Sequence, residues 1–395
     1  MLVKTFCAAI NGLEVTTITV EVSITRGVHY HLTGLGDAAV RESHDRIAAA
    51  LLNTGYKFPV ADITVNLAPA DLRKEGSSFD LPLAIAILAA NEKMNCDNLQ
   101  RYMMVGELSL DGSLQPIKGA LPIAIRARAE HFDGLIVPKA NEREAAVVDT
   151  LKVYGMNNLV EVISFLNGTT SFEPCIVDTR KEFYEHQYNF DLDFADVKGQ
   201  ESVKRALEVA AAGGHNLIMI GPPGSGKSMM AKRLPSILPP LTLAESLETT
   251  QIHSIAGKLN NHTGLISQRP FRAPHHTISE VALVGGGQTP MPGEISLAHN
   301  GVLFADELPE FNKHTLEVLR QPLEDRLITI SRARYTVTFP CSFMFVASMN
   351  PCPCGYYGDP NHHCVCTPGQ IQNYMNKISG PLLDRIDIQC SITPV

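Results

Sequence analysis

The chain has 395 residues, 45% hydrophobic and 19% charged, a composition typical of soluble globular proteins with two or three domains. Its formal net charge of −8 argues against a generally basic surface for nucleic acid, but leaves room for a local basic strip. No secretory signal pattern opens the chain, and the longest apolar run, residues 81–90, is too short to span a bilayer. We therefore expect a cytoplasmic protein without membrane association.

Residues 1–168 alternate between strand and helix patterns, which predicts an α/β domain. Alternating or continuous apolar stretches predict strands at residues 15–24, 62–69 and 135–138. Helical periodicity predicts helices at residues 37–55, 79–93 and 141–148. Asn141 is a plausible N-cap for the last of these helices, because its side chain can accept a hydrogen bond from the first turn.

Residues 169–196 lose this periodicity and are rich in charged and aromatic side chains, so we interpret them as a linker. The second predicted domain covers residues 197–395 and opens with a helix at residues 197–214 that ends in glycines. Internal repeats and low-complexity tracts are not visible in the sequence.

Residues 216–230 join an apolar strand, a glycine-rich loop and the start of a helix, and they fit the phosphate-loop pattern G-x-x-x-x-G-K-[ST]. Lys227 would reach the β- and γ-phosphates of ATP, and Ser228 would hold Mg²⁺. A tight turn between strand and helix, the alternative, leaves both residues unexplained. The predicted nucleotide-binding residues are Gly221, Pro222, Pro223, Gly224, Ser225, Gly226, Lys227 and Ser228.

Two further apolar strands end in polar residues that suit ATP hydrolysis. Residues 301–307 would deliver Asp306 to the metal and Glu307 to the attacking water, although a strand that ends in a polar turn gives the same pattern. Residues 343–350 would deliver Asn350, an amide suited to orienting that water. Arg385 follows a short helical pattern and, taken alone, is more typical of a surface ion pair.

Four segments together resemble the AAA+ ATPases, within them the magnesium-chelatase-like branch, and specifically the ComM family of bacterial proteins. The segments are residues 199–228, 269–287, 292–311 and 379–387. The resemblance covers nearly the whole chain. It implies an N-terminal Lon-protease-like α/β domain of the ribosomal S5 domain 2-like class, followed by an AAA+ P-loop ATPase domain with a parallel sheet.

The same resemblance implies a ring-forming ATPase, a homo-oligomer of hexameric type. Such a ring would move on single-stranded and branched DNA and promote branch migration during natural transformation. Arg385 would be the arginine finger that completes the neighbouring subunit's site. Family members carry a helical lid with a second nucleotide-sensing arginine after this point, and residues 1–395 do not include one.

Two other functions fit an ATPase core. A magnesium-chelatase-type motor would drive metal insertion into a porphyrin, and an ATP-dependent protease would use the Lon-like domain. Segments 74–88 and 106–144 resemble the proteolytic domain of Lon, with Ser78 at the nucleophile and Leu121 at the catalytic lysine. Lys118 is three residues away, and Asp80 replaces a family glycine. Leucine cannot act as a base, so we predict a domain without protease activity.

Two segments are candidates for DNA contact. Residues 325–339 alternate as a β-hairpin with Arg332 and Arg334 near its tip, and residues 267–294 form a segment interrupted by proline and glycine, with Arg269 and Arg272. Arginines that project into a ring's pore would contact phosphates without reading sequence. The alternative is that they are ordinary solvated loop charges.

The chain has nine cysteines, and four of them form two Cys-x-Cys pairs. A turn-rich span of nine residues separates Cys352 and Cys354 from Cys364 and Cys366, which allows the pairs to meet. Four thiolates are the usual tetrahedral ligands of structural Zn²⁺, so we predict a zinc site. Free cysteines, a redox pair and ligation by the neighbouring histidines 362 and 363 are the alternatives.

Overall fold

The computed structural model of the chain describes residues 1–95, 97–259, 264–287, 290–332 and 335–393. The chain divides into two compact units. The first contains Met1–Glu182 and His253–Leu265, and the second contains Phe183–Ile252 and Ile266–Val395. Within the described residues, no helix combines the length and the apolar character that crossing a membrane requires.

The first unit is built on a seven-stranded mixed sheet in the order β3-β4-β2-β1-β5-β8-β9. Its strands, with the separate β6–β7 pair, are β1 (Leu2–Asn11), β2 (Glu14–Thr25), β3 (Tyr30–Thr33), β4 (Asp62–Ala68), β5 (Tyr102–Met104), β6 (Glu107–Leu108), β7 (Leu114–Gln115), β8 (Gly134–Pro138) and β9 (Lys152–Met156). β2 pairs antiparallel with β1 and β4, and β8 pairs parallel with β5 and β9.

The helices that begin in the first unit are α1 (Ala38–Asn53), α2 (Asp80–Ala90), α3 (Ala120–Ala129), α4 (Glu142–Ala146), α5 (Leu159–Leu166) and α6 (Thr179–His186). Every residue of α2 is buried, as expected of a helix that is apolar on all sides. Asp37 caps α1 by accepting a hydrogen bond from the Val40 N–H. The predicted strands and helices of this region are confirmed. The strands are β2, β4 and β8, and the helices are α1, α2 and α4.

The prediction that Asn141 caps the following helix is wrong, because its side chain is used elsewhere. Asn141 Oδ1 accepts from the Ile117 N–H at 2.9 Å, and Nδ2 donates to the Ile117 carbonyl and to Glu144. The buried amide is oriented by these partners and makes no hydrogen bond to the first turn of the helix. The segment predicted as a linker, residues 169–196, contains α6 and a β-bridge between Cys175 and Val153.

The second unit contains a five-stranded sheet in the order β11-β14-β17-β10-β18 and two strand pairs, β12–β13 and β15–β16. Its strands are β10 (Leu217–Ile220), β11 (Phe271–Arg272), β12 (Gly285–Gly286), β13 (Met291–Pro292), β14 (Val302–Ala305), β15 (Leu327–Arg332), β16 (Tyr335–Pro340), β17 (Met344–Met349) and β18 (Ile388–Ser391). The helices that begin here are α7 (Glu201–Gly213), α8 (Lys227–Arg233), α9 (Leu243–Ala256), α10 (Glu280–Val284), α11 (Glu294–Leu297), α12 (Lys313–Glu317), α13 (Arg320–Asp325), α14 (Pro368–Met375) and α15 (Gly380–Leu383).

All pairings within the five-stranded sheet are parallel. β14 and β17 are buried along their whole length, which explains why they read as continuous apolar runs. Parallel strands end at one edge of the sheet, so the residues that follow β10, β14 and β17 lie together there. This mixed α/β architecture, with a parallel sheet in the second unit, agrees with the predicted fold class.

Candidate functional site

The phosphate loop leaves the carboxyl end of β10 and leads into α8. Gly224 and Gly226 have φ angles of +77° and +87°, which side chains of L-residues rarely adopt. A Cβ on Gly221 would lie 2.8 Å from the carbonyl oxygen of Ile392, the residue that follows β18. Glycine is therefore required at these positions for the loop to turn tightly.

Lys227 lies inside the curve of this loop. Its Nζ donates to the carbonyl oxygens of Gly221 and Pro222, at 2.7 and 2.8 Å, and to Asn350 Oδ1 at 3.2 Å. Burial lowers the pKa of Lys227, while the carboxylates of Asp306 and Glu307 oppose this shift. A buried ammonium held by neutral oxygens at the centre of a glycine loop suits the charge of a phosphate chain.

Asp306 follows β14 and contacts two serines from neighbouring elements. The Ser228 hydroxyl at the start of α8 donates to Asp306 Oδ2 at 2.6 Å, and the Ser348 hydroxyl in β17 donates to Oδ1. A serine hydroxyl and a carboxylate are oxygen ligands of the type Mg²⁺ takes. Ser228 and Asp306 therefore fit the metal of a Mg–ATP complex.

Glu307 occupies the left-handed region at φ +54° and is 56% exposed in its side chain. Its N–H is 3.3 Å from Ser348 Oγ, and its Oε2 lies 3.6 Å from Nδ1 of His276. The His276 ring packs against His275, whose Nδ1 in turn contacts the Thr277 hydroxyl at 2.8 Å. His276 is thus the basic group beside the predicted catalytic glutamate.

Arg385, the predicted arginine finger, is engaged within its own chain. Its guanidinium forms an ion pair with Glu324 and donates to the Pro381 carbonyl. The side chain is 22% exposed, and Nε is buried without a hydrogen-bond partner among the described residues. These partners belong to α13 and α15, so they do not place Arg385 at its own chain's phosphate loop.

The arginines predicted to contact DNA differ in their surroundings. Arg269 donates to the Asn300 carbonyl at 2.7 Å, and Arg272 forms two 2.6 Å contacts with Glu294. Arg332 is exposed at the end of β15, where it is paired with Tyr335 of β16. Arg334 lies outside the described residues. DNA contact by all four stays a prediction, and Arg269 and Arg272 have intrachain partners that compete for it.

The four cysteines of the two Cys-x-Cys pairs meet in space. Their Sγ atoms all lie within 4.8 Å of one another, with Cys352 at 3.3 Å from Cys354 and 3.7 Å from Cys364. Tetrahedral Zn–S bonds of about 2.3 Å place neighbouring sulfurs about 3.8 Å apart. Backbone hydrogen bonds from Tyr356 and Val365 lower the pKa of Cys354 to about 6, whereas desolvation and the neighbouring thiols raise the pKa of Cys364 to about 12.

The neighbouring histidine 362 has other partners. Its Nδ1 contacts Asp359 at 3.1 Å and its ring stacks on Tyr356. Within the described residues, the candidate metal cluster contains the four cysteines alone. The thiols of Cys7 and Cys341 are buried elsewhere, and burial raises the pKa of each to about 12.

In the first unit, the residues compared with the Lon catalytic pair each have other partners. Leu121 is completely buried, and its backbone N–H donates to Glu144. The side chain of Lys118 lies against Gly257. The Ser78 carbonyl accepts hydrogen bonds from the Gly106 N–H and from the Cys7 thiol.

Comparison with known proteins agrees with this geometry. The family profile "Magnesium chelatase, subunit ChlI" matches residues 193–395, and "Subunit ChlI of Mg-chelatase" matches residues 20–141. Competence protein ComM of Haemophilus influenzae is 45% identical over 383 residues, or 96% of this chain and 74% of that protein. The chain belongs to the ComM family. YifB of Salmonella typhimurium has the same identity over 384 residues, with the same 96% and 74% coverage.

A more distant similarity links this ComM-family chain to the Lon proteases. Lon protease 2 of Bacillus subtilis is 30% identical over 199 residues, or 44% of this chain and 36% of that protein. The Lon-like similarity is therefore partial, whereas the ComM match is nearly complete. Together with the assembled phosphate loop and acidic residues, family membership identifies the chain as an AAA+ ATPase that uses ATP and Mg²⁺.

Some contacts at the site were not predicted from the sequence. Ser348, which contacts both Asp306 and Glu307, is the last residue but one of the buried strand β17 and has the position of a core residue. The only sequence signal is a lone hydroxyl in a buried run, two residues before Asn350. His276 lies within residues 267–294, which we interpret from the sequence as a candidate DNA-contacting segment. The sequence gives no sign that this histidine lies close to Glu307.

Proposed function

We propose that this ATPase forms a ring, translocates on DNA and promotes branch migration when homologous DNA is integrated during natural transformation. The observation that carries the proposal is an exposed arginine, Arg332, at the end of a hairpin of the ATPase unit in a ComM-family chain. Arg332 is free of salt bridges within the described part of the chain, so its charge is available to a phosphate.

The side chains at the sheet edge supply the parts of ATP hydrolysis. Lys227 exchanges its two backbone carbonyl partners for phosphate oxygens. Ser228 and Asp306 hold Mg²⁺, which when bound neutralises charge on the β- and γ-phosphates. Glu307 turns from His276 towards the attacking water and accepts its proton, and Asn350 orients that water.

Arg385 completes the site of the adjacent subunit in a hexameric ring. In one chain it pairs with Glu324, whose side chain is 54% exposed, so this ion pair is accessible to solvent and weak. A γ-phosphate presented by a neighbour competes well with such a partner, since a guanidinium binds phosphate oxygens through two parallel hydrogen bonds. Ring assembly therefore releases the finger from Glu324.

The salt dependence of DNA binding tests whether the hairpin arginines contact DNA phosphates. We expect replacement of Arg332 and Arg334 by alanine to flatten the plot of log binding constant against log salt by up to about two per engaged subunit. The matched control is Arg205→Ala, which removes an arginine with a 75% exposed side chain from α7. An unchanged slope with full DNA-stimulated ATPase activity would remove the hairpin from the DNA interface and leave residues 267–294 as the alternative.

A chelatase motor is the second candidate, favoured by the family profile that matches residues 193–395. A porphyrin-metallating motor hydrolyses ATP without DNA. ATPase activity that is stimulated by single-stranded or branched DNA, and is indifferent to porphyrin, supports the branch-migration motor. The reverse pattern supports the chelatase.

We also propose that the four clustered cysteines hold one structural Zn²⁺. Their sulfur spacing suits a tetrahedral ion, and the loop between them, residues 355–363, has few apolar side chains with which to fold alone. Metal analysis should find about one zinc per chain. Cys364→Ser should lose it, whereas Cys390→Ser, outside the cluster, should keep it. A metal-free protein whose four thiols react freely in the native state would contradict the proposal.

A further inference from the structure

The cysteine loop, residues 351–366, begins directly after a residue of the nucleotide site. Asn350 directly follows β17 and accepts a hydrogen bond from Lys227 Nζ at 3.2 Å. Two residues later, Cys352 is completely buried and its Sγ accepts from the Tyr357 N–H at 3.3 Å. A metal ion bound to Cys352 therefore fixes the backbone immediately after Asn350.

The cysteine loop also touches the phosphate loop itself. A Cβ built on Gly355 would lie 2.7 Å from Pro223 Cδ and 3.9 Å from Asn350 Cγ. Non-bonded carbons do not approach to 2.7 Å, so the Gly355 backbone lies against the Pro223 ring as closely as a glycine allows. The turn that holds Gly355 there is closed by its N–H, which donates to the Cys352 carbonyl at 3.0 Å.

The helix that follows the cysteine loop contacts the same residue from another side. Tyr374 of α14 is buried, and burial raises its pKa to about 12, while a hydrogen bond with the Asn350 backbone opposes that rise. Asn350 is thus held by Lys227, by the start of the cysteine loop and by α14. The four sulfurs are the only ligands through which a bound ion would tie these elements together among the described residues.

We propose that metal binding at the four cysteines and nucleotide binding at the phosphate loop are coupled, because the cysteine loop forms a wall of the nucleotide site. The inference rests on the zinc site proposed above. Metal holds Gly355 against Pro223 and keeps Asn350 within reach of Lys227, which favours the loop shape that accepts phosphates. Coupling between two binding equilibria is reciprocal, so bound nucleotide must in turn retain the metal.

The physiological consequence concerns thiol chemistry. A chelator of soft divalent ions, or an oxidant that converts the thiolates to disulfides, would release the metal and weaken ATP binding at the same time. ATPase activity in this chain therefore depends on a metal that takes no part in the reaction.

Two glycines of the cysteine loop give a matched pair of variants. Gly355 and Gly358 have φ angles of +87° and +78°, so alanine introduces similar backbone strain at both. At Gly355 the new methyl group meets Pro223, whereas at Gly358 no atom lies within 4 Å. Comparison of Gly355→Ala with Gly358→Ala therefore separates the contact with the phosphate loop from strain within the turn.

The experiment measures the affinity of the full chain for zinc by equilibrium competition with a chromogenic chelator, with and without a saturating non-hydrolysable ATP analogue. In the wild-type protein and in Gly358→Ala, nucleotide should raise the zinc affinity by about fivefold or more. In Gly355→Ala, this gain in zinc affinity and the nucleotide affinity should both fall. A wild-type zinc affinity that is the same with and without nucleotide would overturn the coupling, as would a Gly355→Ala protein indistinguishable from Gly358→Ala. Absence of zinc from the purified protein would instead refute the zinc site itself.

Discussion

Ser348→Ala removes a hydroxyl that lies behind the nucleotide site. Ser348 is completely buried in β17, donates to Asp306 Oδ1, and lies 3.3 Å from the Glu307 N–H. Alanine leaves the Asp306 carboxylate with one fewer donor, and no water can replace the hydroxyl in a close-packed strand without a new cavity. The carboxylate then loses part of the support that orients it towards Ser228 and Mg²⁺.

The size of the effect follows from the charge of the acceptor. A hydrogen bond to a charged group contributes about 1.5–3 kcal/mol. If this hydrogen bond stabilises the transition state by that amount, its loss lowers kcat by about 10- to 150-fold, since 1.36 kcal/mol corresponds to a factor of ten. The Mg²⁺ concentration for half-maximal rate should rise. Nucleotide affinity in EDTA should not change, because Lys227 and the phosphate-loop amides do not contact Ser348.

The control is Ser296→Ala. Ser296 is also completely buried, and its hydroxyl has no hydrogen-bond partner among the described residues, so its removal should leave kcat unchanged. ATP hydrolysis is measured across a Mg²⁺ titration, with thermal unfolding to check that both variants are folded. A Ser348→Ala protein that matches the Ser296→Ala control in kcat and Mg²⁺ dependence would refute the positioning role of Ser348.

Three further predictions concern other parts of the site. Glu307→Gln should bind ATP without turning it over, because an amide cannot accept a proton from water; hydrolysis at the wild-type rate in a phosphate-release assay would contradict this. Arg385→Ala should bind ATP but not hydrolyse it, and mixing it with Glu307→Gln subunits should restore some activity; no rescue at any ratio counts against action in trans. The N-terminal unit should show no peptidase activity, since Leu121 stands at the lysine position; ATP-dependent casein cleavage that disappears in Ser78→Ala would show otherwise.

Much of the site was predictable because its parts are local in sequence. In the phosphate-loop pattern, Lys227 and Ser228 stand at a fixed spacing from the glycines. Asp306 and Asn350 directly follow apolar runs that predict strands. The cysteine pairs are predictable for the same reason. One further inference was needed to bring these residues together: the carboxyl ends of parallel strands meet at one edge of the sheet.

The contacts that sequence could not supply join distant residues. The packing of Gly355 on Pro223 links positions 132 residues apart, and the approach of His276 to Glu307 depends on the path of a loop without periodicity. Asn141 has the right residue type for a cap, but its amide is satisfied by Ile117 and Glu144 instead. Tertiary partners decided each of these cases, and local propensity does not reveal them.

The central proposal is that ATP hydrolysis moves this protein along branched DNA. The most direct measurement follows a synthetic four-way junction with homologous arms, incubated with the protein and ATP, as it separates into two duplexes. The proposal predicts ATP-dependent separation by the wild-type chain and none by Glu307→Gln, which binds ATP but cannot use it. A wild-type protein that hydrolyses ATP at a rate unaffected by the junction, and leaves the junction intact, would contradict it.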